Sequence, residues 1–212
     1  MDYDIIYSLN DNYFGYEPER ILRNYYHLIN VKKPVLDIGA GQGRNSVFLG
    51  REGYTVHALE PSRIGTNAVY EIARLEHLAI KVINNDFKSF EAPTGYSGIL
   101  IFGLLQSLSW SDINLLAEKA GQWSQSGSLL FITAFSPADP AFSEKARLLK
   151  NVGRNSFIDS HERYFTYFEA QEILDLFPHE EVIYQWTGAG PVHRHGEGPF
   201  HQHGLVQLVL RR

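Results

Sequence analysis

Residues 35–45 read Val35-Leu36-Asp37-Ile38-Gly39-Ala40-Gly41-Gln42-Gly43-Arg44-Asn45. A short apolar run ends in three glycines at alternate positions, and a helical pattern begins at about Arg44. The run from Pro34 to Gly39 predicts a buried strand. Glycines at 39, 41 and 43 permit positive φ values and let a ligand approach the backbone closely. The helix predicted over Arg44 to Arg51, stopped by Gly53, turns its free N–H groups toward the loop. Strand, glycine turn and helix in this order open a doubly wound α/β sheet, whose ligands sit beyond the carboxyl ends of the strands.

Downstream, Tyr54 to Leu59 predicts a second strand, and Ser62 caps a helix running to about Glu76. Ile80 to Asn84 is a third strand. Gly98 to Phe102 is a fourth, apolar enough for burial on both faces. A helix follows over Ser111 to Ser124, with Ile113, Leu116, Ala117 and Ala120 inward, then a fifth strand over Ser128 to Phe135. From Ser136 to Phe165 the pattern weakens around Pro137, Pro140 and Gly153, although Phe142 to Asn151 fits a helix. Thr166-Tyr167-Phe168-Glu169 has the spacing of a capping box, with a helix to Phe177. Glu181 to Trp186 and Leu205 to Leu210 are consecutive strands and pair antiparallel. Upstream, Tyr13 to Glu19 reads as a loop, and Pro18 suits the first turn of a helix to about Ile29. The order is β-α five times, then β-β: a doubly wound, mixed seven-stranded sheet ending in an antiparallel hairpin. Residues 1–212 are expected to form one domain, with an N-terminal lid and helix over 1–30, an irregular insertion over 136–165 and a histidine-rich hairpin loop over 188–204.

Composition narrows the partners. Hydrophobic residues make up 44% of the 212, enough for a sizeable core. The formal charge is -5 and no Lys/Arg run is present, so no nucleic-acid partner is expected. The absence of cysteine excludes disulfides and thiolate metal sites. The N-terminal segment lacks the pattern of a signal peptide, and the longest apolar stretches fall well short of the roughly 20 residues that span a bilayer. The expectation is a cytoplasmic protein, monomeric or homodimeric, with no membrane partner.

Glu60 lies 21 residues beyond Gly39, at the end of the second strand and next to Pro61. An acid at about that distance is placed to take the two hydroxyls of an adenosine ribose. The dinucleotide fingerprint needs its third glycine where this chain has Arg44. Asp37 would repel a pyrophosphate but suits an ammonium group, directly or through water. Both features disfavour an NAD-dependent oxidoreductase.

Residues 35–45, followed by Gly53-Tyr54-Thr55-Val56-His57-Ala58-Leu59-Glu60, resemble the first two motifs of class I S-adenosylmethionine-dependent methyltransferases. Gly41-Gln42-Gly43-Arg44-Asn45 with Gly53-Tyr54-x-Val56 is most similar to the tellurite-resistance-type (TehB-like) branch. The resemblance implies a Rossmann-like sheet with S-adenosyl-L-methionine held by Asp37, Gly39, Ala40, Gly41, Gly43, Arg44 and Asn45, and by Glu60 and Pro61. It places Asp86 near the adenine amino group and Phe87 over the ring. Phe102, Gly103 and Leu104 would line the methionine and reactive-methyl region, and Tyr13 would belong to a loop folding over the cofactor. No Asn/Asp-Pro-Pro-aromatic motif follows the fourth strand, which removes the amino-methyltransferases of nucleic-acid bases that often carry it. The implied activity is methyl transfer to a small-molecule acceptor. A non-catalytic S-adenosylmethionine sensor or assembly protein is the alternative from another class, since a binding motif does not certify turnover.

The connection from Gly188 to Gly204 holds four of the nine histidines and far exceeds the usual hairpin loop of 2–5 residues. Three readings compete. In the first, His193, Arg194, His195, His201 and His203 line the acceptor pocket, binding an anionic group or taking a proton. The His193-Arg194 pair resembles a basic pair of the TehB-like branch. His201 or His203 stands where that branch tends to have a further arginine, which puts an oxyanion acceptor in doubt. In the second, His-x-His occurs twice with its rings on one side, as a site for Zn, Ni, Cu or Fe would need. The third is a solvated loop. The first is preferred, with no metal assigned.

Overall fold

The computed structural model describes residues 3–212. Among these, β1 (Val35–Ile38), β2 (Val56–Leu59), β3 (Ile80–Ile83), β4 (Tyr96–Phe102), β5 (Ser124–Phe135), β9 (Glu181–Ala189) and β10 (Gly204–Arg211) form one sheet in the order β3-β2-β1-β4-β5-β10-β9. The first five are parallel. β10 inserts antiparallel between β5 and β9. The sheet is the mixed seven-stranded one expected. Strand order reverses between β1 and β4, so the ligand crevice opens outside their carboxyl ends.

Burial on both faces follows from the alternation of apolar side chains along the central strands. Leu36, Ile38, Ile99, Ile101, Leu130 and Ile132 pack on one face against α5 (Trp110–Trp123), through Ile113, Leu116, Ala120 and Trp123. Val35, Leu100, Leu129 and Phe131 pack on the other, against Ile21 and Leu22 of α2 (Arg20–Tyr25) and Leu49 of α3 (Arg44–Arg51). The predicted Ser62 cap is present: its hydroxyl accepts from Gly65 N–H at 3.0 Å and starts α4 (Arg63–Leu75).

Several elements differ from expectation. A helix, α1 (Tyr3–Leu9), precedes the N-terminal loop. Its one fully buried residue, Tyr7, leaves too narrow an apolar face for a periodicity signal. The chain between β3 and β4 has no helix, so the β-α unit is not repeated five times. The segment over 136–165 is not irregular throughout: α6 (Phe142–Leu148) ends early, and β6 (Lys150–Gly153), β7 (Ser156–Ile158) and β8 (Tyr164–Thr166) form a separate antiparallel sheet. The capping box lies three residues later than predicted. Glu169 caps α7 (Ala170–Leu174) with Glu172 as its partner, while the Thr166 hydroxyl donates to the Leu108 carbonyl. Tertiary contact with β7 holds Thr166 in a strand and overrides the local motif.

Candidate active site

The glycine loop has the conformation its sequence requires. Gly39, Gly41 and Gly43 have φ values of 72°, 57° and 89°. A Cβ at Gly43 would lie 2.6 Å from Val69 Cγ2, so the loop is also pressed onto α4. Beside it, Glu60 is almost fully buried. Its carboxylate accepts from Gly41 N–H at 2.9 Å and from Ser62 N–H at 2.8 Å. Burial raises its pKa while the two N–H groups pull it down. A carboxylate offers about four lone-pair sites, so two remain for further donors. Asp37 lies behind the loop, fully buried, and accepts from the Ser46 hydroxyl at 2.7 Å. Burial pushes its pKa up to about 6, against the opposing pull of Ser46 and Arg44.

The N-terminal segment covers this loop. Asp4 accepts from the Ser62 hydroxyl and from Ile64 N–H, which docks α1 on the start of α4. The Tyr7 hydroxyl lies where a Cβ on Gly41 would be 2.9 Å away, and its ring abuts Gly65. Tyr3 bonds to Ser107, beyond β4, so α1 bridges the crevice from the β2 side to the β4 side. Desolvation raises the pKa of both phenols, with the Glu60 carboxylate adding to the effect.

Gln42 clamps the following turn, donating to Asn10 carbonyl at 2.6 Å and accepting from Tyr13 N–H at 2.8 Å. Arg44 pairs with Glu19 and reaches the Phe14 and Glu17 carbonyls, and the Asn45 side chain accepts from Glu19 N–H at 2.8 Å. The two side chains after the glycines therefore hold the lid connection.

Leu104 touches the position of Gly39, 3.7 Å from where its Cβ would be, and Phe102 and Gly103 share that edge of the crevice. Ala40 is buried, its N–H donating to Leu59 carbonyl at 3.1 Å. The exposed Pro61 accepts from the Asn84 side chain at 2.8 Å. Asp86 is exposed and accepts from Ser89 N–H, three residues on, at 2.8 Å, in the manner of an N-cap. Phe87 turns into the main core.

The long hairpin reaches the same end of the sheet, since Leu205 pairs with Phe135 at the carboxyl end of β5. His193 and His201 exchange backbone hydrogen bonds of 2.9 and 2.8 Å and carry the ladder into the loop. The imidazoles of His193, His195, His201 and His203 converge, each offering one ring nitrogen within 4.8 Å of the others. His195 also packs on Tyr13 and Phe14, with ring centroids 5.2 and 5.0 Å apart. Burial, the other three imidazoles and Arg44 push its pKa down to about 4, and His193 is lowered chiefly by burial. Arg194 is parted from the cluster: it lies over Phe200 and pairs with Glu197 at 3.7 Å.

Asp139, just after β5, accepts from His203 Nδ1 at 2.7 Å. Neither Asp139 nor the lid tyrosines Tyr3 and Tyr7 stood out in the sequence. The i,i+4 spacing of the two tyrosines was the available signal for one helix face.

A doubly wound sheet whose first turn is a positive-φ glycine loop, with a buried carboxylate at the end of the next strand, defines a class I methyltransferase fold. The chain belongs to the methyltransferase-domain family, whose model matches residues 13–209. It is similar in fold to TehB from Haemophilus influenzae, with a TM-score of 0.71 and 18% identity, covering 91% of this chain and 61% of that one. It is also similar to 1,6-didemethyltoxoflavin-N1-methyltransferase from Burkholderia thailandensis, a structure that holds 1,6-didemethyltoxoflavin and S-adenosylhomocysteine. The TM-score there is 0.66 at 14% identity, over 92% of this chain and 79% of that one. Among curated proteins, Hemagglutinin 1 of Eikenella corrodens is 29% identical over 107 residues, 49% of this chain. The chain spans only 35% of that relative's length. Among the described residues, no helix is long and apolar enough to cross a membrane.

Proposed function

We propose that the chain transfers a methyl group from S-adenosyl-L-methionine to a small-molecule acceptor. The observation that carries the reading is the Glu60 carboxylate, buried at the end of β2 and held against Gly41 with lone pairs to spare. Those lone pairs suit the two ribose hydroxyls. The backbone of Gly39 to Gly43 can approach a ligand closely, and Leu104 supplies an apolar wall beside Gly39. Asp37, ionised above about pH 6, contributes negative potential that favours an ammonium group. Asp86, exposed beyond the end of β3, is assigned to the adenine edge in the same proposal, whereas Phe87 is committed to the core and is not.

The cofactor supplies an electrophilic methyl on a sulfonium, so the chain's main task is to orient an acceptor and exclude water. Tyr3, Tyr7, Tyr13 and Phe14 form the cover that does so. The hairpin histidines close the other side. Three of them have Nδ1 beside a fixed acceptor, so in a neutral ring the inward nitrogen is the one free to accept a proton or a cation. A small acceptor fits the net charge of -5 and the lack of a Lys/Arg run, neither of which favours a nucleic acid. The similar fold of 1,6-didemethyltoxoflavin-N1-methyltransferase, whose structure holds 1,6-didemethyltoxoflavin, supports the same class.

Calorimetric titration of the metal-free protein with S-adenosylmethionine, S-adenosylhomocysteine and NAD tests the cofactor. Binding of both sulfur compounds is expected, weakened at least tenfold by Glu60→Ala. Tight NAD binding without either would overturn the reading. A panel of amine, phenol, carboxylate and chalcogen acceptors, scored by S-adenosylhomocysteine release, tests turnover. Silence across it would move the protein to the sensor class.

A further inference from the structure

We infer that His193, His195, His201 and His203 form a binding site for one divalent transition-metal ion of the zinc class. The inference stands on geometry and does not depend on the methyltransferase reading. Four ligands at the usual zinc–imidazole distance of about 2.05 Å are separated by about 3.3 Å in a tetrahedron. The four ring nitrogens here lie within 4.8 Å of one another, and His193 Nε2 is 3.1 Å from His195 Nε2. Small ring rotations would close the set.

The outward nitrogens fix which lone pairs point in. His193 Nδ1 is 3.0 Å from Pro191 carbonyl and His201 Nδ1 is 3.0 Å from Pro199 carbonyl. A carbonyl only accepts, so both Nδ1 atoms carry protons, and in a neutral ring Nε2 is then the nitrogen left to ligate. His203 Nδ1 donates to Asp139 at 2.7 Å, and its own Nε2 is buried with no hydrogen-bond partner. Leaving a buried ring nitrogen unsatisfied is costly, and a metal ion would satisfy it. A ligating histidine whose other nitrogen is held by a carboxylate or a backbone carbonyl is the usual outer shell of an imidazole metal site. Three of the four rings have one.

The scaffold around the rings is tight. His203 stacks on Phe135 at 4.2 Å. A Cβ at Gly204 would lie 2.3 Å from Asp139 N, so only glycine lets the Asp139 turn press against this strand end. The ligand set is entirely imidazole, which suits Zn²⁺, Ni²⁺ or Cu²⁺ and disfavours Mg²⁺ and Ca²⁺. Neutral ligands leave the ion its full charge, making this side of the crevice electropositive in an acidic chain. Through His195, packed on Tyr13 and Phe14, the ion would also tie the hairpin to the lid.

The test uses full-length, tag-free protein stripped with chelator, then titrated with Zn²⁺ and, for spectroscopy, Co²⁺. One equivalent of Zn²⁺ is expected to bind, with the visible absorption of tetrahedral Co²⁺ and no response to Mg²⁺. His193→Ala and His201→Ala should each weaken uptake at least a hundredfold, and Asp139→Asn by about 10–100-fold. The exposed His161, changed to Ala, should leave it unchanged. His201 lies in the loop and is half-exposed, so its variant remains informative even if Asp139→Asn or His203→Ala fails to fold. Absence of stoichiometric uptake, or uptake that survives the His193→Ala/His201→Ala double change, would overturn the site. Either outcome leaves cofactor binding, measured separately, untouched.

Discussion

The glycine loop and the histidine hairpin lie at the same end of one sheet but are built in opposite ways. The loop works through its backbone: positive φ at Gly39, Gly41 and Gly43 opens a close approach, and Gly41 N–H holds the Glu60 carboxylate supplied by the adjoining strand. Its parts lie within about one β-α-β unit of sequence. The hairpin works through side chains. Its four imidazoles come from one loop, but their orientation is set by Asp139, far back in the chain, and by the lid aromatics. A site made of backbone is spelled locally by glycine. A site made of converging side chains depends on what the rest of the fold presses against it.

Substitutions that strike one region and spare the other sharpen the contrast. The largest effect is expected from Gly43→Ala, which combines strain at φ 89° with a 2.6 Å contact to Val69. We expect a loss of about 2–4 kcal/mol in denaturant unfolding, together with loss of cofactor binding. Unchanged stability would show that the loop is not held as described.

Asp37→Asn isolates the next effect. The wild-type carboxyl has a folded value of about 6 against an ordinary value of 3.8. Below about pH 3 it is protonated in both states. As pH rises from 4 to 6 the unfolded chain ionises first, so wild type loses about 2–3 kcal/mol relative to the variant. Stability curves of the two proteins that run parallel across that window would contradict the assignment.

Glu60→Ala should cost about 1.4 kcal/mol or more in S-adenosylmethionine affinity and leave Zn²⁺ uptake intact. A joint loss of both would mean that the two regions form a single cooperative site. The smallest effect is expected from Arg44→Ala. Its partly exposed ion pair with Glu19 is worth well under about 1 kcal/mol, so global stability should barely move. Limited proteolysis over residues 10–19 should nevertheless quicken, because Arg44 also holds the carbonyls of Phe14 and Glu17.

Legibility followed the same divide. The strand-loop-helix unit, the Ser62 cap and the antiparallel pairing of the last strands were readable, because each rests on contacts between near neighbours or on a strong hydrophobic period. The three-stranded sheet after β5 was not, since its short strands alternate weakly and β6 is wholly exposed. Thr166 carried a helix-start spacing but went into a strand, because a β partner outcompetes one capping bond. Arg44 and Asn45 were read as cofactor residues from their place after the glycines. The structure gives them the lid connection as partner.

By itself the sequence determined the sheet, its glycine loop and the carboxylate beside it, because backbone permission and hydrophobic alternation are local properties of the chain. The tertiary structure decided that α1 covers that loop, that Arg194 faces away from the cluster, and that Asp139 meets His203. Each of these depends on segments distant in sequence being packed together, and no local pattern of residues encodes which distant carboxylate an imidazole will meet.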